Sequence, residues 1–491
     1  MFVPAADSAE ALQSFQQLKE FGGVVLKISN HYVSKIVFFL LFVEVLVLVG
    51  AAYAGAAVRF LDGGDAIATP HLEHFFLSAV AFAAAIVFSM SAMGLYQLNF
   101  DEGLRNPFFL KLMPSFAMGF VILTLVFYVA PELYFGRGML IMVFAIAAAG
   151  ILAARVIFFK TSELRFMESR IIFLGGGPLA KECSDLAIEN TSYHKYDIAG
   201  FIAMPSEEVC VPTARLLKVR EGESLATLAT AHNVEEIVVS VQNRRAGFPI
   251  KELLDCKLQG IKVTDAATFF ERETCQIRVD SLQPSWLVFG GGFDQSFIRS
   301  FMKRAFDLIC SSIILVATFP VMILTAALIY LEDRSPIFYQ QERVGKDGHS
   351  FNVLKFRSMR NDAEKSGKPQ WAAQNDPRVT RVGNFIRKTR IDELPQILNV
   401  FKGEMSFVGP RPERPYFVEQ LIEVVPFYNV RHSITPGITG WAQVRYGYGA
   451  SADDALQKLQ YDLYYVKNNS LFLDILILID TLKVVLFRSG R

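Results

Sequence analysis

Residues 305–331 read AFDLICSSIILVATFPVMILTAALIYL, an apolar run whose one charged residue, Asp307, lies near its start. About 20 such residues cross a bilayer's hydrocarbon core, so length alone permits a span. Pro320 sits near the middle, where it removes a backbone hydrogen-bond donor and is expected to break the helix. Lys303, Arg304 and Arg334 place positive charge at both ends, the pattern of a segment whose ends share one side. Together these features predict a re-entrant helix over 305–331, with its break at Pro320. A buried helix of a soluble domain is the alternative, and so unbroken an apolar run argues against it.

Four further apolar runs precede it, at residues 36–57, 75–95, 110–130 and 139–159, each long enough to cross a membrane. They predict an N-terminal four-helix transmembrane bundle over 35–160 behind a cytoplasmic tail, 1–34. Lys19, Lys27 and Lys35 precede the first run, Arg105 and Lys111 fall between the second and third, and Arg155, Lys160, Arg165 and Arg170 close the fourth. The alternate loops hold only Arg59 and Arg137, so both ends of the bundle are expected in the cytoplasm. Glu44 inside the first run is either a functional ionisable group or a carboxyl facing the bundle interior, paired with a hydroxyl or held protonated, and the second reading is the stronger. The whole chain, 491 residues and 52% hydrophobic, agrees with a membrane component. No short cleavable leader is expected, because about 30 polar or mixed residues come before the first apolar run. Its 49 basic and 48 acidic residues nearly cancel, so nucleic acid is not an expected partner. Cys183, Cys210, Cys256, Cys275 and Cys310 form no close pair and read as free thiols of a reducing compartment.

Between the apolar parts, residues 168–287 alternate strand and helix patterns. A strand at 170–174 enters Gly175-Gly176-Gly177-Pro178-Leu179-Ala180, with further strands expected at 198–203, 236–241 and 260–263, in outline a Rossmann-like α/β module. As a dinucleotide fingerprint it is weak: Ala180 replaces the third glycine, Pro178 removes an amide, and no acid follows the second strand to hold a ribose. A structural or regulatory role is therefore expected ahead of cofactor-dependent catalysis. A nicotinamide-dependent sugar oxidoreductase or dehydratase would need a Tyr-x-x-x-Lys pair in this module, and 168–287 contains none. Gly290-Gly291-Gly292 marks a linker over 288–300.

The chemistry lies beyond 301. Basic residues cluster from 355 to 414, including Lys355, Arg357, Arg390 and Arg411, and Asp392-Glu393 follows Arg387-Lys388-Thr389-Arg390 directly. Leu394-Pro395 and an apolar run come next, and proline suits a first helical turn, so one of the two acids is expected at a helix N-terminus. Free amides there favour carboxylates and phosphates. Adjacent carboxylates can share Mg2+, whose oxygen preference suits a diphosphate ligand. Simple N-capping by Asp392 is the plain alternative. The apolar run at 471–487, interrupted by Asp474, Asp480 and Lys483, is expected along a membrane interface.

KRAFD at 303–307, PIFYQ at 336–340, FNVLKFRSM at 351–359, RIDELP at 390–395, GEMSFVGPRP at 403–412, PGITGWAQ at 436–443 and YDLYYVK at 461–467 closely resemble the bacterial sugar transferase family. These are the large monotopic phosphoglycosyl transferases, also called polyprenyl-phosphate hexose-1-phosphate transferases. The resemblance covers about 301–491. The four-span bundle and α/β module in front are similar to the long-form members that begin exopolysaccharide or O-antigen repeat units. Phe319-Pro320 departs from a Ser-Pro found in some members, and residues 370–374 form a variable loop. The resemblance implies an α-rich catalytic domain and a two-step transfer. Asp392 would attack a UDP-sugar, release UMP and carry a sugar-phosphoryl group to undecaprenyl phosphate. Glu393 would help bind Mg2+ or tune Asp392, and Lys355, Arg357, Arg390 and Arg411 would hold phosphates. Asp462 is either a further substrate contact or one half of a structural salt bridge. The implied setting is a bacterial inner membrane with the catalytic domain on the cytoplasmic face, membrane lipid around the helices, and an oligomeric state left open to a homo-oligomer. A non-catalytic assembly subunit of the same fold is the rival reading; loss of Asp392, Glu393 or Arg411 would have suggested it, and all three are present.

Overall fold

A computed structural model of the chain describes residues 25–28, 31–60, 75–96, 107–162, 168–189, 196–205, 207–219, 223–242, 248–279, 293, 296–334, 336–360, 378–447, 449 and 451–487. Most of the expected tail, most of the 288–300 linker and the 370–374 loop lie outside these residues. The chain forms two compact units, one of residues 1–27 and 32–274, the other of residues 28–31 and 275–491.

In the first unit the apolar runs become helices Lys35–Phe60, Phe75–Ala92, Pro107–Val129 and Arg137–Ser162. They bury a shared core that includes Leu48, Phe82, Ile86, Val143 and Ile151. Their outer faces are apolar too, with Phe76, Leu125, Tyr128 and Ile141 exposed. A helix apolar all round needs a non-aqueous surround, so these helices fit a membrane protein. Glu44 is fully buried, and Arg155 donates from both Nε and Nη2 to its two carboxylate oxygens. Glu44 thus faces the interior of the helices as expected, but its partner is a guanidinium from the fourth helix, not a hydroxyl.

The α/β part has four parallel strands in the order Tyr196–Ile202, Ser169–Leu174, Glu236–Val239, Lys262–Asp265. Helices Pro178–Glu189, Leu225–Ala231, Ile250–Leu258 and Ala266–Thr274 follow the strands, giving the doubly wound pattern of βα repeats. Gly175 ends the first strand at φ +131°, where a side chain would strike the Ser240 carbonyl at 2.8 Å. At the opposite end of the sheet a charged network closes the core. Buried Glu236 takes both oxygens to Arg272 Nη1, at 2.8 and 3.1 Å, and Arg272 Nε reaches Glu273 at 3.0 Å.

The second unit begins with one continuous helix, Phe297–Asp333. It runs through Pro320, where the sequence predicts a break. Proline's fixed φ is already helical and its ring removes a single bond, so the long apolar run on either side keeps its backbone paired within the helix. Five helices in all, this one included, are long and apolar enough to cross a membrane among the described residues. A hairpin follows, Phe338–Val344 against Ser350–Phe356, then helix Arg381–Lys388, the 3-10 turn Ile391–Gln396 and helix Ile397–Lys402. Strand Ser406–Val408 pairs in parallel with Gly437–Thr439, and helices Pro415–Val424, Trp441–Arg445, Ala452–Asn468 and Leu471–Phe487 complete an α-rich unit.

The first turns of the long helix are bolted to this unit by polar contacts. Asp307 Oδ1 accepts from Ser406 Oγ and Phe407 N, each at 3.0 Å. Arg304 donates to the Val400 and Phe401 carbonyls in the last turn of helix Ile397–Lys402. Lys303 reaches Asp474 at 2.9 Å, and Asp474 is fully buried, so the helix expected along an interface also plugs this core. His31 is seated in the same unit, edge-on to Trp441 and Tyr464, with Nδ1 2.9 Å from the Tyr464 hydroxyl. Burial, helped by the Arg445 charge, lowers its pKa to about 4. All five cysteines are free.

Candidate active site

Three local structures converge on the acid pair. Thr380 caps helix Arg381–Lys388, its Oγ1 accepting from Gly383 N at 2.9 Å. The helix ends at Thr389, and Arg390 takes the left-handed conformation, φ +59°, to turn the chain into Ile391–Gln396. Left-handed backbone is uncommon for a side chain this large and is tolerated where the surroundings fix it. Asp392 and Glu393 therefore stand in the first turn of a 3-10 element, one turn ahead of the α-helix expected to carry them. The reason is Pro395, inside that turn, which favours the tighter winding. Neither this turn nor the following helix takes a side-chain cap, so Asp392 is not simply an N-cap.

The second structure is the hairpin. Lys355, paired across it with Tyr339, extends its Nζ to Glu393 Oε1 at 3.0 Å. The third is a pair of interlocked glycine loops. Gly409 N donates to the Thr439 carbonyl at 2.9 Å, and Gly437 N to the Pro410 carbonyl at 2.9 Å. A Cβ on Gly437 would run into the Gly409 backbone, so the loops close only with hydrogen at both positions. That closure presents Arg411, whose Nη2 reaches Glu393 Oε1 at 2.8 Å while Nη1 donates to Gln443 Oε1 at 3.1 Å.

The two carboxylates end in different states. Burial pushes Glu393 up, but Arg411 and Lys355 outweigh it and hold its carboxyl well below the usual range. Burial and the neighbouring Glu393 charge raise Asp392 to about 6, against the pull of Lys355 and Arg390. Asp392 Oδ1 is buried with no hydrogen-bond partner, and so is Gln443 Nε2. Buried polar atoms left unpaired are rare enough to mark a place where something else binds. One ionisable oxygen without a partner, beside a carboxylate clamped by Lys355 and Arg411, marks the acid pair as a candidate functional site.

Of the residues expected here, Asp392, Glu393, Lys355 and Arg411 come together directly. Arg390 lies in the same turn and its charge acts on both acids. Arg357 is buried two residues beyond Lys355, its N donating to the Ile337 carbonyl at 2.9 Å. Asp462 makes a salt bridge, its Oδ2 accepting from Arg431 Nε and Nη2 at 3.0 and 2.7 Å, and it also lines a cavity of this unit. Arg431 Nη2 also donates to the Arg411 carbonyl at 3.0 Å, so this pair braces the loop carrying Arg411. Pro320 lies in the long helix and makes no part of the acid cluster. Gln443 and Arg431 are the residues that the sequence reading passed over. Gln443 stands in the PGITGWAQ stretch, where its place one helical turn after Gly440 was the available signal.

In the first unit, the glycine turn is occupied from within the chain. Glu207 Oε2 accepts from Gly176 N at 3.0 Å, the kind of amide that a dinucleotide phosphate would use.

The second unit is therefore an α-rich domain centred on an acid pair clamped by lysine and arginine, and it carries a helix of membrane-crossing length. Residues 298–488 match the family described as bacterial sugar transferase. The chain is 45% identical over 238 residues to a UDP-N-acetylgalactosamine-undecaprenyl-phosphate N-acetylgalactosaminephosphotransferase of Aeromonas hydrophila, covering 48% of this chain and 55% of that one. It is 35% identical over 248 residues to a UDP-glucose:undecaprenyl-phosphate glucose-1-phosphate transferase of Escherichia coli K12, covering 50% and 52%. A longer match, 30% identical over 354 residues, joins it to a UDP-galactose-lipid carrier transferase of Erwinia amylovora, covering 66% and 70%. With the first two, the match spans about half the relative's length. The chain belongs to the bacterial sugar transferase family.

Proposed function

We propose that this protein transfers a sugar 1-phosphate from a UDP-sugar to undecaprenyl phosphate, through a covalent sugar-phosphoryl group on Asp392. The observation that carries the reading is Asp392 Oδ1, buried and unpartnered beside a Glu393 clamped by Lys355 and Arg411. In the first step an Asp392 oxygen attacks the sugar-linked phosphorus, an Asp–O–P bond forms, and the bond to UMP breaks. In the second a phosphate oxygen of undecaprenyl phosphate attacks the same phosphorus and Asp392 leaves as carboxylate. Both steps bring anions together, and Lys355, Arg357, Arg390 and Arg411 offset that repulsion. Arg411 and Lys355 keep Glu393 ionised, and Gln443 keeps Arg411 aimed.

The donor set fits Mg2+, which binds proteins through one or two carboxylates and completes its shell with water and substrate phosphate. Asp392 and Glu393 would hold it, and no larger cluster of acidic, His or Cys ligands exists among the described residues. When bound it would neutralise charge developing on the diphosphate.

The setting proposed is the cytoplasmic face of a bacterial inner membrane. There Lys35–Phe60, Phe75–Ala92, Pro107–Val129 and Arg137–Ser162 form a four-span bundle, and Phe297–Asp333, helical throughout, enters and returns on one side by kinking at Pro320 without losing its helical pairing. The product would begin an exopolysaccharide or O-antigen repeat unit, and the α/β module would regulate or brace the enzyme, as a monomer or homo-oligomer.

The test is purified protein in detergent with Mg2+, undecaprenyl phosphate and a panel of UDP-sugars. UMP should appear only with a lipid-linked sugar diphosphate, and Asp392→Asn should abolish it while Glu393→Gln lowers it sharply. UMP release undiminished in Asp392→Asn would remove Asp392 as nucleophile.

A further inference from the structure

A cavity of about 260 Å3 opens in the second unit between helix Pro415–Val424, the turn Tyr428–Ser433 and helix Ala452–Asn468. The acid pair does not line it. Phe417 and Leu421 line it, together with Glu413, Tyr428, Lys458 and the paired side chains of Arg431 and Asp462. We infer that this cavity receives the nucleoside of the sugar donor, leaving the diphosphate to reach the acid pair. The inference rests on the proposed transfer and adds to it the seat of the leaving group.

Placement is the first argument. Arg411 has its guanidinium on Glu393, and Glu413, two residues on, lines the cavity. Two residues of backbone span at most roughly 7 Å, so one short loop serves both the acid pair and the cavity. The cavity's lining is joined to the same loop, because Arg431 donates to the Arg411 carbonyl at 3.0 Å. A group attached one phosphate beyond the attacked phosphorus arrives here; the transferred sugar, bonded to that phosphorus, stays at Asp392.

Chemistry is the second. A nucleobase offers an apolar face and a polar edge, and a ribose offers hydroxyls, which matches a lining that combines Phe417 and Leu421 with Glu413, Arg431, Tyr428 and Lys458. The polar side chains are held in place: Arg431 Nη1 donates to the Tyr428 hydroxyl at 2.8 Å, and Arg343 Nη1 lies 3.4 Å from Glu413. A prenyl chain would strip water from these charges and give nothing back, so the acceptor lipid is excluded from the cavity on desolvation grounds.

The test uses the full-length protein in detergent, with UMP as the probe. UMP binding is measured by calorimetry in an Asp392→Asn background, where no turnover occurs. Leu421→Trp, which fills the cavity, should weaken UMP binding at least tenfold. Phe417→Leu, which removes the aromatic face and keeps an apolar side chain, should weaken it about fivefold or more, the range of base–aromatic stacking. In otherwise wild-type protein both should raise the donor KM and leave the undecaprenyl phosphate KM within twofold. If Leu421→Trp unfolds, Phe417→Leu decides. UMP affinity within twofold of the parent in the folded variants, or no UMP binding by the parent at millimolar concentration, overturns the inference. Cavity-dependent UMP binding without transfer to undecaprenyl phosphate would uphold the inference and refute the proposed reaction; transfer with UMP binding indifferent to the cavity would do the reverse.

Discussion

Replacing Asp462 by asparagine tests whether this residue braces the fold or meets the substrate. Its carboxylate is 2% exposed and takes two hydrogen bonds from Arg431, itself 5% exposed. Removing one partner of a buried ion pair strands the other charge and costs about 3–5 kcal/mol. Asparagine keeps one acceptor oxygen, which puts Asp462→Asn near the low end, about 3 kcal/mol. For a unit of this size that is a fall in Tm of roughly 6–12 °C, at about 2–4 °C per kcal/mol. Arg431 also holds the Arg411 carbonyl, so kcat should fall along with stability. Pairing the change with Arg431→Met removes the stranded charge and should recover most of the Tm, because buried ion pairs replaced by apolar residues are often close to neutral. The activity should stay low, since the brace on Arg411 is still gone. Thermal unfolding followed by intrinsic fluorescence, with UMP release on the same samples, reads both. A Tm for Asp462→Asn within 2 °C of wild type would refute the bracing role and return Asp462 to the substrate.

Three other outcomes follow from the same contacts. Gln443→Leu takes away the acceptor that orients Arg411; a hydrogen bond to a charged group is worth about 1.5–3 kcal/mol, so kcat/KM should drop roughly 10- to 150-fold with Tm little changed, and undiminished activity would show that Arg411 needs no second anchor. His31 has a folded pKa of about 4 against 6.5 unfolded, so its neutral form is the stabilising one: the contribution is whole above pH 6.5 and is lost as pH falls toward 4, about 2 kcal/mol of it by pH 5. The Tm of wild type should then fall more steeply between pH 7 and 5 than that of His31→Phe, and equal slopes would count against a buried neutral imidazole. Arg272→Met leaves Glu236 and Glu273 buried without their shared cation and should melt the α/β module by about 3–5 kcal/mol, read as early loss of hydrogen-exchange protection in strands Ser169–Leu174 and Glu236–Val239.

Elements whose signal is local were legible in the chain. The apolar runs became helices within a few residues of their expected ends, and the four module strands fell where β-rich segments met glycine or loop signals. The acid pair stood out because a basic run precedes it directly and the motifs around it resemble a known family, although its clamping cations Lys355 and Arg411 stand 38 and 18 residues away. What the chain concealed are pairings set by tertiary folding: Gln443 with Arg411 across 32 residues, Arg431 with Asp462 across 31, Ser406 with Asp307 across 99, Arg155 with Glu44 across 111. No periodicity announces such partners, since either side chain alone reads as a solvated charge. Pro320 misled in the other direction: a strong local rule met a helix with enough pairing on each side to continue.

The polar grip of Lys303, Arg304 and Asp307 makes the long helix a measuring rod. A helix advances 1.5 Å and turns about 100° with each residue, so the first turns, once bolted to Asp474, Ser406 and the end of helix Ile397–Lys402, fix both the depth and the facing of every apolar residue behind them. The acid pair is tied to the same plate through helix Ile397–Lys402, which begins where its turn ends. One residue inserted between Asp307 and Phe319 would swing the apolar face by more than a quarter turn while the acids stayed put. The acid pair and the greasy rod therefore keep a fixed phase, and under the proposed transfer a lipid phosphate held at one height along the rod would meet Asp392 at one height only.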